Sequence, residues 1–327
     1  MQLRFQDNQK TVIAHFKSLK QAWRDASLFL DIQNFIVHIE HKKKHYTLLP
    51  QFITVFHNQK MQVMEFDDDI QRFIGWRPYT FRSAPLLTDK LAFKAWLNTQ
   101  PFSVPQYSRD PSTHQNVILK NSLSSYSNLI RGPYRTASDC PFQLEKGDYF
   151  ESYIEGTITK TWFWNDTPIC IEKQPMPMMT GDGHATIKTL VERHLSLWNT
   201  TPGWEKIKTV LNYYGKELST VLKAGEKQCI DFRYASQLRR PNDTLTVLCK
   251  NLENMELINE LNKIGSVLWQ NIISKHHTEL LYSVDGILTN DDQLWILEAN
   301  ANPVVHPLTY DAMSQAMRAM PSQYAHA

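Results

Sequence analysis

The sequence predicts a mixed α+β chain whose sheets are mostly antiparallel, and three observations carry that expectation. Two stretches alternate apolar and polar residues on either side of a short polar turn, one about Asn165-Asp166 and the other about Asn290-Asp291-Asp292. Three others, near 89–98, 186–198 and 255–274, space their apolar residues as a helix does. Pro202, Gly203, Gly215 and Pro241 punctuate the interval between the second and third of these, and no segment repeats.

Residues 1–86 mix helical and strand patterns without a glycine-rich phosphate loop, and read as a smaller N-terminal α/β supporting domain. At Leu87 the character changes. Thr88 or Asp89 can cap a helix bearing Leu91, Phe93, Ala95 and Leu97, which breaks at Pro101 and Pro105. A short strand, VILK, ends at Lys120 and gives way to the polar loop NSLSSYSN. Strands run from Asp148 to Lys173, first DYFESYIEG and then ITKTWFWNDTPICIEK. The glycine turn TGDGHA opens a helix with Ile187, Leu190, Val191 and Leu195 behind a Thr186 cap.

A chain of 327 residues with 42% hydrophobic content can bury a full core, and its length suggests about two domains. Lys plus Arg number 35 against 33 Asp plus Glu, too even a balance to make nucleic acid or an anionic membrane the main partner. The Lys42 to Lys44 run and the Arg239-Arg240 pair read as solvated faces. Cys140, Cys170, Cys229 and Cys249 are scattered without CxxC spacing, which argues against a zinc site or a disulfide framework and suits a reducing compartment. The polar N-terminus has no secretory signal and no apolar run approaches the length of a membrane span, so the cytoplasm is the expected location.

The segment SVDGILTNDDQLWILEANANPVVHP, Ser283 to Pro307, carries the clearest chemistry. Asp285 precedes the turn, while Glu298 and Asn300 lie two apart on the returning strand and share a face. Two carboxylates and an amide oxygen gathered on one surface suit a hard cation such as magnesium, which commonly takes such ligands together with nucleotide phosphates. A hairpin with a polar outer face would explain the same letters.

The pieces in this order resemble the ATP-grasp ligases, most closely the ligase domain of cyanophycin synthetases and bifunctional glutathione enzymes. The resemblance covers about Leu87 to Pro307. It implies an ATP-grasp fold over 87–327, with a lid subdomain at about 108–155, behind the N-terminal domain. It also implies ATP as substrate, two magnesium ions at Asp285, Glu298 and Asn300, and phosphate-binding lysines at Lys90 of the Asp89-Lys90 pair and at Lys120. Glu151, Ser152, Tyr153, Ile154 and Glu155 would form the adenine hinge, Lys173 a basic contact in the nucleotide site, and Arg233 an acyl-phosphate clamp, with Lys120 and Arg233 catalytic. The implied reaction joins a carboxylate to an amine, amino acids or a peptide among the candidates, and many relatives pair as homodimers.

Lysine serves as a compact point charge against phosphate, and a guanidinium can hold two oxygens at once. The TGDGHATIKTLVE segment is similar to a stretch of cyanophycin synthetases in which a glycine turn offers backbone N–H groups to a ligand, although a plain turn with a helix cap would suffice. His306 could face the substrate or simply pack. Three features depart from the pattern: the loop Asn121 to Asn128 has no glycine, Ile158 stands where relatives place a ribose-binding acid, and Val304 replaces a glycine. The alternatives are a ligase that modifies peptides or proteins, and a nucleotide-binding module that has lost turnover.

Overall fold

The computed structural model describes residues 2–319 apart from 57–58, 66–69, 111–114, 123–129, 197–200, 235, 241–242, 276 and 278. The glycine-free loop singled out above therefore falls mostly outside the described residues.

The chain begins with helix α1 (Gln2–Ala22), then strands β1 (Ser27–Asp31), β2 (Ile36–His41), β3 (Lys44–Phe56), β4 (Gln59–Val63) and β5 (Ile70–Arg77). They form one antiparallel sheet in the order β1-β2-β3-β4, with β5 also on β3. Local chemistry fixes its turns. The Asp31 carboxylate accepts from the backbone N–H groups of Gln33 and Asn34, and Lys42 and Lys43 adopt positive φ between β2 and β3, with both side chains in solvent. A helix over an all-antiparallel sheet is α+β, so the expected α/β character of this part is corrected.

Its core is also continuous with the far end of the chain. Leu19, Trp23, Val37, Phe73 and Trp76 belong to the same apolar cluster as Tyr310, Met313 and Met317, so the expected boundary at residue 86 coincides with no break in packing. His15 lies at this seam, its Nδ1 2.8 Å from the Tyr310 hydroxyl. Burial, then the charges of His306 and Arg72, pushes the His15 imidazole down to about 4. The folded chain thus refuses a proton that the unfolded chain takes up below 6.5, and stability should fall as pH drops from 6.5 to about 4. At ~1.4 kcal/mol per pH unit the loss reaches at most about 3.5 kcal/mol, and urea unfolding at pH 7 and pH 4.5 should show a shallower pH slope for His15→Gln than for the wild type.

Helices α2 (Pro85–Thr88) and α3 (Lys90–Leu97) follow. Asp89 rather than Thr88 supplies the cap of α3, accepting from the N–H groups of Leu91 and Ala92 at 3.0 Å each. Strands β6 (Tyr107–Ser108), β7 (Gln115–Asn121), β8 (Arg131–Thr136) and β9 (Asp148–Ser152) make a second antiparallel sheet in the order β6-β9-β7-β8. Val117, Leu119, Tyr134, Ala137 and Phe150 give it a small core of its own.

The remaining elements are β10 (Thr157–Trp164), β11 (Thr167–Gln174), β12 (Met178–Thr180), α4 (Ile187–Ser196), α5 (Trp204–Tyr213), β13 (Lys227–Cys229), β14 (Leu245–Leu248), α6 (Met255–Leu268), β15 (Leu281–Leu288), β16 (Leu294–Asn300) and α7 (Thr309–Ala319). The central sheet runs β14-β11-β10-β15-β16, antiparallel throughout. Asn165 at positive φ turns β10 into β11, and Asp292 at positive φ closes the hairpin of β15 and β16, both where the sequence places them. Asn254 caps α6, which continues as a π-turn over Trp269–Ile273 and packs on β11. The four residues Tyr153 to Gly156 carry the chain from the lid sheet to the central one.

Candidate functional site

Strand register assembles the site. Lys160 lies opposite Glu172 on β11 and opposite Asp285 on β15, and Asp285 lies opposite Glu298 on β16. Cross-strand partners share a face, so the four form a row across four strands, with neighbours about 4.8 Å apart in the pairing direction. Asn300, two residues past Glu298, turns to the same face, and its Nδ2 is 3.4 Å from Asp285 Oδ2. The structure thus brings together the three oxygen-bearing side chains singled out in the sequence.

Lysines surround them. Lys160 Nζ is 2.5 Å from Asp285 Oδ1, and Lys90 Nζ reaches Glu298 Oε2 at 3.2 Å from the first turn of α3, which packs on β16. Burial, and then the Glu298 charge, raises the Asp285 carboxyl despite Lys160. For Glu298 burial pulls the same way, but Lys90, Lys120 and Lys160 outweigh it and hold this carboxyl low. Both side chains stay accessible, at 20% for Asp285 and 30% for Glu298. The donors fit a hard cation: two carboxylates that like-charge repulsion makes costly to keep together, plus one amide. Among the described residues no three His, Cys, Asp or Glu side chains cluster as a metal site, so the centre depends on Asn300 for its third oxygen.

The other predicted residues divide. Lys120 leaves β7 toward Glu151, Nζ to Oε1 2.5 Å, and its charge is felt at Glu298. Glu151, expected in the adenine hinge, pairs with Tyr107 and Ile118 inside the second sheet, and its carboxylate is buried between Lys120 and Lys94. The N–H groups of Ser152 and Tyr153 donate to Gln106 O and Asn116 O, so they too are taken up by the protein. Tyr153 packs against Tyr213 and Phe232, and Tyr214 donates from its hydroxyl to Glu155 at 2.7 Å. Ile154 and Glu155 follow the last laddered residue, Ser152.

Lys173 pairs with Thr159, one residue out of step with Lys160 and Glu172, so it projects from the opposite face, where its charge acts on Cys249. The Arg233 guanidinium is held by Asp231 at 2.6 Å and by the Ile130 and Gly132 carbonyls, tying this segment to the start of β8. At TGDGHA the plain turn prevails: Asp182 accepts from the N–H groups of His184 and Ala185, consuming the donors a ligand would need. Gly181 fits because a Cβ there would collide with the Lys223 carbonyl.

Sequence reasoning missed Lys94, Lys160, Glu172 and Tyr234. Lys160 alternates with Trp162 on β10, which placed it on a definable face, but its partner Asp285 is 125 residues away. Its ammonium also lies 5.3 Å from the Tyr234 ring, whose hydroxyl donates to Glu172 at 2.8 Å. The His306 ring lies tilted at 49° to that of Trp162, centroids 5.1 Å apart, on this same side, and its Nδ1 accepts from the Leu308 N–H.

The loop after Asn300 is fastened to the N-terminal sheet. Arg77, fully buried, donates from Nη1 to Asn302 Oδ1 at 2.9 Å and from Nη2 to Pro303 O. Gln62 donates to Asn302 O, Asn302 Nδ2 to Arg82 O, and Val305 N to Ile74 O. Gly75, at φ +113°, leaves the room that Val305 fills.

No described helix is long and apolar enough to cross a membrane. No family model and no curated protein matches the chain. Among solved structures it is similar to a bifunctional glutathione synthetase from Pasteurella multocida, at 14% identity over 88% of this chain and 40% of that one, with a TM-score of 0.41. It is also similar to a D-alanine–D-alanine ligase from Bacillus anthracis, at 11% identity over 73% of this chain and 65% of that one, TM-score 0.38. A third is PsnB, an ATP-grasp ligase solved with a minimal precursor, at 11% identity over 72% of this chain and 62% of that one, TM-score 0.34. The chain spans less than two thirds of the length of each.

Proposed function

We propose that the chain is an ATP-grasp ligase that joins a carboxylate to an amine and releases ADP and phosphate. The observation that supports it is the row of Lys160, Asp285 and Glu298 with Asn300 beside it, faced by Lys90 and Lys120. Asp285, Glu298 and Asn300 would hold magnesium, two ions by the resemblance, which when bound neutralises charge on phosphate oxygens. Lys90 and Lys120 would reach the phosphates from the side of the lid, and Ile154 and Glu155 would border the adenine. In this scheme the substrate carboxylate attacks the γ-phosphorus and ADP leaves. The amine then attacks the acyl carbon, phosphate departs, and the amine gives up a proton. The protein supplies position and charge, with no covalent nucleophile of its own.

The test is the mass of the product formed by purified protein from ATP, magnesium and pooled carboxylates and amines. A product equal to acid plus amine less water, formed in step with ADP, is the expected result. Failure to bind ATP in the presence of magnesium would overturn the reading. Lys120→Ala should weaken nucleotide binding about 10- to 100-fold, since a charged hydrogen bond is worth roughly 1.5–3 kcal/mol, and calorimetric titration with Mg·ADP checks it.

A further inference from the structure

Lys94 is among the most deeply buried charged residues described. It sits on the inner face of α3, 1% exposed, with Nζ 2.6 Å from Oε2 of Glu151, itself 1% exposed. The contact is close enough for an ion pair although the two atoms are not aligned as a hydrogen bond. Lys120 takes the other carboxylate oxygen at 2.5 Å and is 12% exposed. Three elements, α3, β7 and β9, therefore enclose two ammonium groups about one carboxylate, and only Lys120 has a way to solvent. Burial opposes the charge on Lys94 while Glu151 supports it; burial likewise opposes the charge on Glu151, which Lys120 and Lys94 together hold low.

A desolvated carboxylate is costly to leave without a partner, and a matched pair is far less so. If Lys120 were the sole partner of Glu151, moving its ammonium to a phosphate would strand that carboxylate. With Lys94 in place the same movement leaves a neutral buried pair. We infer that Lys94 is the resident counter-ion of Glu151, and that it frees Lys120 to exchange the carboxylate for a nucleotide phosphate. This rests on the proposed role of Lys120 at the phosphates. Lys94 is then a positioning residue that acts without touching the nucleotide, and Glu151 is the seat Lys120 leaves.

The experiment is calorimetric titration of Mg·ADP into the full chain as wild type, Lys94→Met, Lys94→Met with Glu151→Gln, and Lys120→Ala, each checked by circular dichroism. Lys94→Met should bind about tenfold or more weakly, because Lys120 stays locked on an otherwise unpaired buried charge. The double variant removes both buried charges and should return to within about threefold of wild type. A purely structural role for Lys94 gives the opposite order, the double variant binding no better than the single. Wild-type affinity in Lys94→Met, or no recovery in the double variant, overturns the inference. Should Lys94→Met not fold, the double variant decides alone: near-wild-type affinity supports the inference and a tenfold loss sinks it. Wild-type affinity in Lys120→Ala would instead remove Lys120 from the phosphates, and with it the reading on which this rests.

Discussion

Glu298→Gln and Asn300→Ala are each expected to cut magnesium-dependent ADP formation by about two orders of magnitude or more while leaving the chain folded. Glu298→Gln removes the charge that makes the oxygen a strong cation ligand and keeps the shape. It also releases Lys90, whose 3.2 Å contact to Glu298 would lose its ionic part. Asn300→Ala removes the third oxygen and the donor that lies 3.4 Å from Asp285. Neither change empties a core, because both positions sit on the accessible face of β16. Circular dichroism should therefore be unchanged while coupled-enzyme ADP release collapses. Normal turnover in both variants would show that the row serves the sheet alone.

Gly265→Ala should destabilise the protein by about 2 kcal/mol and lower its melting temperature by several degrees, measured by scanning calorimetry. In an isolated helix the same change would stabilise by about 1 kcal/mol, so the sign is the informative part. Here α6 crosses the β10–β11 turn so closely that a Cβ would fall on the Asp166 carbonyl oxygen. That oxygen belongs to backbone held in place by Asn165, whose N–H donates to Leu280 O and whose side chain accepts from Leu280 N. Neither partner can shift without disturbing β15. A melting temperature equal to or above that of wild type would mean that the turn yields.

Features governed by short-range periodicity were legible in the sequence. The two hairpin turns, the Asp89 cap, the Thr186 cap and the common face of Glu298 and Asn300 follow from spacings of two to four residues. What depended on pairing between distant strands was not legible. Lys160 meets Asp285 only because β10 lies beside β15, and nothing local says that Glu172, not Lys173, shares the face of Lys160. Lys94 illustrates a different failure. A lysine on an amphipathic helix reads as solvated, and only the carboxylate of Glu151 arriving from another sheet draws it inside. The N-terminal sheet gave little signal because its strands alternate imperfectly, with bulges between Gln51 and Phe52 and between Ile53 and Thr54.

The grip of β5 on the segment after Asn300 means that the position of this amide is set partly from the opposite end of the polypeptide. Arg77 and Asn302 are 225 positions apart, yet one anchors the other. Amino-acid exchanges in the N-terminal sheet should therefore surface as altered ion affinity rather than as lost solubility. An engineer who swaps that sheet for another must bring the arginine and its neighbouring glycine along, or the segment behind Asn300 loses an anchor nobody has mutated.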